Sequence, residues 1–180
     1  AISTLLMGFV GFIDDYLKIV KKISKGLIAR YKLISQIIVG IFISFMVLNY
    51  IENPKIFIDS AGNAIKEISN TSISLPFIMN GFMVLPKWFY VILIILVITS
   101  TSNAVNLTDG LDGLATGLSA ISILTMGAIA YASGRSDFSD YLNILYIKGA
   151  DELLIFSFAA IGACLGFLWY NSYPASIFMG

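Results

Sequence analysis

The sequence predicts an all-α fold, a polytopic transmembrane helical bundle, on three observations. Of 180 residues, 58% are hydrophobic and only 12% charged, against roughly 45–50% and about 25% in soluble domains. Four uncharged runs, Leu33–Ile51, Trp88–Val105, Leu114–Ala132 and Leu153–Tyr170, approach the roughly 20 residues that a helix needs to cross the hydrocarbon core. These runs are continuously apolar, which does not suit the alternating strands of about 10 residues that build a membrane barrel.

The elements follow in chain order. Ala1–Ile13 is apolar but too short to span, and it lacks the basic start of a signal peptide. It is expected to be the cytoplasmic half of a truncated helix, giving four full spans plus one shorter N-terminal one. Six of the eleven basic residues, Lys18, Lys21, Lys22, Lys25, Arg30 and Lys32, come next, and by the positive-inside rule they mark a cytoplasmic segment. Counting spans onward puts 52–87 outside, 103–113 inside, 133–152 outside and 171–180 inside. In the first outer segment, Ile56-Phe57-Ile58 and Ala64-Ile65-Lys66-Glu67-Ile68 flank Ser60-Ala61-Gly62-Asn63, a pattern that predicts a small outer-face β-hairpin. Trp88, Phe89 and Tyr90 open one span and Trp169 and Tyr170 close another, as interfacial aromatic belts do. The single cysteine, Cys164, in the apolar run Gly162-Ala163-Cys164-Leu165-Gly166, is read as a small packing residue that helps helices approach closely. With no repeat or linker in the chain, residues 1–180 are expected to form a single integral-membrane domain, truncated at both ends.

Composition also excludes some chemistry. The chain has no His, so His-based acid/base or metal chemistry within these residues is ruled out. One cysteine permits no internal disulfide. A net charge of zero gives a nucleic-acid partner no electrostatic support.

Three polar segments are predicted to share the cytoplasmic face. Gly11-Phe12-Ile13-Asp14-Asp15-Tyr16-Leu17-Lys18 sets adjacent carboxylates three and four residues before a lysine, on neighbouring faces of a helix. This suits an ion-paired helix end. The sharper reading is a site for Mg²⁺ and phosphate, because Mg²⁺ takes one or two carboxylates with phosphate oxygens, and an ammonium is a compact charge for anions. The run Asn103–Ala115 holds Asn106, Asp109 and Asp112 three residues apart, which would line one side of a helical turn. Gly110 and Gly113 would admit a close ligand or backbone. Ionisable groups at a membrane edge are costly and rare. Helix capping accounts for one such acid, with Gly113 and Gly117 as a helix contact, but hardly for both acids and Asn106. The third segment, Gly166–Gly180, leaves the last span through Asn171 and Pro174 to Phe178, whose ring could stack on a nucleobase.

Together these segments resemble the polyprenyl-phosphate N-acetylhexosamine-1-phosphate transferase superfamily. The wording that carries the resemblance is Asn-Leu-Thr-Asp-Gly-Leu-Asp-Gly-Leu-Ala from Asn106 and Gly-Phe-Leu-Trp-Tyr-Asn-x-x-Pro-Ala-x-x-Phe-Met-Gly from Gly166. It covers nearly the whole chain in order and spacing. The resemblance implies a Mg²⁺-dependent enzyme of the bacterial cytoplasmic membrane, active on the cytoplasmic face of the lipid bilayer, and a homodimer. Undecaprenyl phosphate would attack the sugar-linked phosphate of UDP-N-acetylmuramoyl-pentapeptide and release UMP, giving lipid I for peptidoglycan synthesis. It implies Asp14 as general base or catalytic carboxylate near the lipid phosphate, and Asp15 as its neighbour in metal or phosphate placement. Lys18 and Asp112 would contact the uracil with Phe178 stacked on it. Asn106 and Asp109 would line the nucleotide and diphosphate pocket, which Asn171 and Gly180 would shape. In the superfamily a Mg²⁺-binding Asp follows Phe-Met-Gly and a His-rich loop comes later, so residues 1–180 alone are expected to be inactive.

Other readings are weighed against it. A paralogous enzyme would move a smaller N-acetylhexosamine phosphate from UDP to a polyprenyl carrier. Such relatives usually differ where Thr108 stands. A secondary transporter would bind a coupling ion at broken helices near the midplane, whereas these acids fall at span ends on one face. A catalytically inactive membrane scaffold is the third reading.

Overall fold

The computed structural model describes residues 2–22, 27–57, 65–74 and 82–178. Among the described residues six helices run in the order α1 Ile2–Ile19, α2 Ala29–Tyr50, α3 Lys87–Thr108, α4 Leu114–Gly134, α5 Ser136–Leu142 and α6 Leu153–Asn171. A 3₁₀ turn, Ala150–Glu152, leads into α6. Among the described residues four helical stretches, α2, α3, α4 and Ala150–Asn171, are long and apolar enough to cross a membrane, at the four predicted runs.

Their burial is the reverse of a soluble bundle's. The buried positions are mostly small or polar: Gln36, Gly40 and Ser44 in α2, Ala115, Thr116, Ala120 and Gly127 in α4, and Ser157 and Asn171 in α6. Large apolar side chains such as Ile38, Phe45, Leu96, Met126, Ile155 and Leu165 face outward. Hydrocarbon solvates those side chains as well as a protein core would, so helix contacts are left to small residues and to polar residues that bond each other.

The chain falls into two compact units, Ala1–Asn49 with Lys87–Leu107, and Tyr50–Pro86 with Thr108–Met179. In the first, α2 and α3 run antiparallel. Lys32 bonds Asn106, Gln36 bonds Ser102 and Asn103, and Gly40 stands so near Ile95 that a Cβ there would lie 2.9 Å from its Cγ1. In the second unit α4 and α6 are antiparallel in the same way. A Cβ on Gly113 would meet Leu168, one on Gly127 would lie 2.8 Å from Ser157 Cβ, and one on Gly134 would overlap Asp151.

Also in the second unit, β1 Lys55–Phe57 pairs antiparallel with β2 Ile65–Glu67, Lys55 opposite Glu67. This is the predicted hairpin, and the Lys55 and Glu67 charges meet at 3.4 Å. Its connecting residues Ser60–Asn63 lie outside the described residues. Lys55 also exchanges backbone bonds of 2.8 Å with Tyr146. A second ladder, β3 Ser72–Ser74 with β4 Phe82–Val84, is not visible in the sequence, because Phe82-Met83-Val84 is continuously apolar and displays no alternation. Ile68, Thr71 and Leu85 are buried beside these ladders.

Several boundaries differ from expectation. Helix α1 continues beyond the apolar run to Ile19, carrying the acidic motif on its last turns as the spacing of Asp14, Asp15 and Lys18 suggests, and Lys18 there also suits the negative end of the helix dipole. Helix α3 continues past Val105 to Thr108, because Asn103 and Asn106 are engaged by α2 and need not leave the helix to find partners. Close helix contact does not centre on Gly162 and Gly166, where a Cβ would meet nothing among the described residues within 4 Å. It centres on Gly127 and Gly134 of α4.

Candidate functional site

The first group of site residues lies in the first unit. Asp14, Asp15 and Lys18 sit on the last turns of α1, and the Lys18 ammonium lies 2.9 Å from Asp14 Oδ2 and 3.6 Å from Asp15 Oδ1. The other Asp14 oxygen, Oδ1, accepts the Leu27 backbone N–H at 2.6 Å. Both oxygens of Asp14 are thus occupied, and its side chain is 13% exposed against 44% for Asp15. Partial burial pushes the Asp14 pKa up. The Leu27 N–H, the Lys18 ammonium and the Lys32 charge outweigh that and hold the carboxyl below its ordinary value. The Lys18 ammonium is correspondingly held above its ordinary range, first by its bond to Asp14 and then, against some desolvation, by the charges of both acids.

Lys32 was counted in the sequence only as one of a basic cluster. The fold brings its charge to bear on Asp14, and its ammonium donates to Asn106 Oδ1 at 2.8 Å. Asn106 therefore projects from the last turn of α3 onto a cation. Lys32 lies 14 residues beyond Lys18, on another helix, so no local spacing could have marked it.

The second group lies in the second unit. Asp109 ends α3, and residues 110–113 turn the chain into α4, which starts from Gly113 in the left-handed region (φ +74°). The expectation that Asn106, Asp109 and Asp112 line one helical turn is therefore corrected. Helix α3 ends at Thr108 with Asp109 as its cap, the chain turns through Gly110, and Asp112 stands in the turn. Its Oδ2 accepts the Ala175 N–H at 3.1 Å. Asn171, only 3% exposed at the end of α6, does more than shape a wall. Its Oδ1 accepts from the Gly113 N–H at 3.1 Å and the Thr116 hydroxyl at 3.2 Å, and its Nδ2 donates to the Ile177 carbonyl at 2.9 Å. One side chain thus caps the start of α4 and pins the segment after α6. That segment presents Phe178, 70% exposed. Gly180 lies outside the described residues.

Among the described residues no three His, Cys, Asp or Glu side chains gather to hold a metal ion. The chemistry on offer is two carboxylates with two ammonium groups and a carboxamide in the first unit. The second offers two carboxylates on a glycine turn, with an exposed aromatic ring beyond α6.

A family model described as glycosyl transferase family 4 matches residues 1–180. The chain is 45% identical over 179 residues to a phospho-N-acetylmuramoyl-pentapeptide-transferase from Chlorobium phaeobacteroides, an alignment covering 99% of this chain and 45% of that protein. A protein of the same name from Thermodesulfovibrio yellowstonii is 47% identical over 179 residues, with 99% and 45% covered. One from Gemmatimonas aurantiaca is 42% identical over 186 residues, with 98% and 45% covered. The chain spans about half the length of the curated relatives it matches.

Proposed function

The chain belongs to glycosyl transferase family 4, and from that premise we propose that it is part of a phospho-N-acetylmuramoyl-pentapeptide-transferase. The reaction joins a phosphate oxygen of undecaprenyl phosphate to the sugar-linked phosphorus of UDP-N-acetylmuramoyl-pentapeptide. The anhydride bond to the UMP phosphate breaks, UMP leaves, and lipid I is formed. The observation that carries the reading is the chain of charges from Asp14 through Lys18, with Lys32 on Asn106, at the ends of apolar helices. Ammonium and carboxamide groups at a bilayer edge suit a lipid-borne phosphate meeting a water-soluble diphosphate.

The residues divide the work as follows. Lys32 and Asn106 face the diphosphate, and Lys18 is held by both acids ready to offer its remaining hydrogen to the donor. Asp14, with both oxygens bonded and its pKa held down, acts as a fixed negative charge that aims Lys18. A phosphate monoester already loses its second proton near pH 6, so little is asked of a base. Asp15, the more open acid, fits Mg²⁺, which takes one or two carboxylates and completes its shell from phosphate oxygens and water. Bound there, the ion would screen the like charges of the two phosphates. By the family resemblance, Asp109 and Asp112 contact the nucleotide and Phe178 stacks on uracil, with Asn171 holding the segment that carries Phe178. The site faces the cytoplasm of a bacterial inner membrane, and the assembly is a homodimer, which light scattering of the detergent complex tests.

The deciding experiment is UMP release by the purified full-length protein in detergent, with undecaprenyl phosphate and Mg²⁺. UDP-N-acetylmuramoyl-pentapeptide should turn over and UDP-N-acetylglucosamine should not. The opposite preference would move the protein to a paralogous transfer, and release from neither donor would sink the reading. Asp14→Asn should abolish turnover and leave expression intact; retained turnover removes Asp14 from the mechanism.

A further inference from the structure

Gln36 is fully buried, 0% exposed, in the membrane-spanning helix α2. Its Nε2 donates to Ser102 Oγ at 3.1 Å and to Asn103 Oδ1 at 3.4 Å, while its Oε1 accepts from Asn103 Nδ2 at 3.1 Å. Asn103 Nδ2 also donates to the Thr99 carbonyl at 2.8 Å. Two carboxamides therefore face each other reciprocally, in surroundings where a lost partner is not replaced by water.

The position of this pair matters more than its strength. Lys32, Gln36 and Gly40 lie four residues apart on one face of α2. Opposite them on α3 stand Asn106, then Ser102 and Asn103, then Ile95. Shifting α3 by one residue would swing its side chains by about 100°, taking Asn103 off Gln36 and Asn106 off Lys32 together. Gly40 against Ile95 sets how closely the helices approach, but an apolar contact of that kind leaves the register open.

We propose that Gln36 is a positioning residue: with Asn103 it fixes the register of α2 against α3 and so keeps the Lys32 ammonium on Asn106, one helical turn away, in the arrangement that receives the donor diphosphate. This rests on the transferase reading above. Gln36 touches no substrate in this scheme and acts through Lys32 and Asn106.

The test uses the full-length protein in detergent and two variants. Gln36→Met keeps the side-chain length and removes the amide. The double exchange Gln36→Asn with Asn103→Gln keeps two facing carboxamides. A misplacement of 1 Å can cost up to about 100-fold, so Gln36→Met should raise KM for UDP-N-acetylmuramoyl-pentapeptide about tenfold, with KM for undecaprenyl phosphate nearly unchanged. The exchange should recover most of that loss. An unchanged donor KM, an exchange no better than Gln36→Met, or loss of the fold in both variants would overturn the proposal, the last by assigning the pair to folding alone. A second readout needs no activity. In a cysteine-free background carrying Lys32→Cys and Asn106→Cys, a short bis-maleimide should cross-link the two helices, and adding Gln36→Met should cut the yield several-fold. Undiminished cross-linking overturns the register claim even if the protein proves not to be this transferase. A wild-type protein without turnover, but with cross-linking that depends on Gln36, would sink only the transferase reading.

Discussion

Replacing Asn171 separates two functions that one side chain performs at once. Its Oδ1 holds the Gly113 N–H and the Thr116 hydroxyl, its Nδ2 holds the Ile177 carbonyl, and the residue is buried. Asn171→Ala deletes all three bonds and strands the buried Thr116 hydroxyl. At about 0.5–1.5 kcal/mol net per bond, with part of the stranded group's desolvation added, the loss should be roughly 2–4 kcal/mol. Asn171→Asp keeps the acceptor and adds a negative charge at the start of α4, where the helix dipole favours it. It loses the donor and sets a carboxylate against the Ile177 carbonyl. The assay is amide hydrogen exchange on the full-length protein in detergent, alongside its apparent Tm. Alanine should speed exchange both at 113–117 and across 172–178, and aspartate only across 172–178. If aspartate and alanine behave alike, or alanine changes neither segment, the bonding derived for Asn171 is wrong. Under the transferase reading both variants should also raise KM for the UDP donor, because the freed segment carries Phe178.

Further outcomes follow from single contacts. Gly113→Ala should destabilise the protein by about 1–2 kcal/mol from its left-handed backbone alone, and more because the new Cβ would lie 3.1 Å from Leu168 Cδ1. Gly117→Ala, whose Cβ meets nothing among the described residues within 4 Å, should be neutral or stabilising by up to about 1 kcal/mol; thermal melts of the two variants compare them directly. Gly127→Val drives a side chain into Ser157, and overpacking of this kind costs about 1–3 kcal/mol, to be read as a lower Tm that Ser157→Ala partly restores. The Asp14 pKa is lowered from 3.8, so its contribution to stability is present above that value and is lost as pH falls through the folded-state value. The Lys18 pKa is raised from 10.5, so its contribution is complete below that value and is lost as pH rises through the folded-state value. The Tm difference between wild type and Asp14→Asn should therefore stay flat from roughly pH 5 to 9 and shrink in acid; a difference that grows in acid would contradict the Lys18 and Leu27 bonds.

Length and apolarity alone revealed the spans, because a helix that satisfies its own backbone is the simplest way to carry 20 or so apolar residues through a medium without water. The same reading found the β1–β2 hairpin and the clustering of Asp14, Asp15 and Lys18, where spacing within one element suffices. It did not find that α3 ends before Asp112, that Lys32 reaches Asn106, or that Gln36 and Asn103 pair inside the membrane. Nor did it find that Asn171 ties the start of α4 to the chain beyond α6, or that α4 meets α6 at Gly127 rather than at Gly162. A soluble helix advertises its buried face by an apolar stripe, whereas these spans are apolar all round, so their sequences carry no such stripe to read. Which side of each span meets protein and which meets lipid is settled by small and polar residues finding partners on another helix. Those partnerships, many of them more than fifty residues apart in the chain, exist only in the tertiary structure.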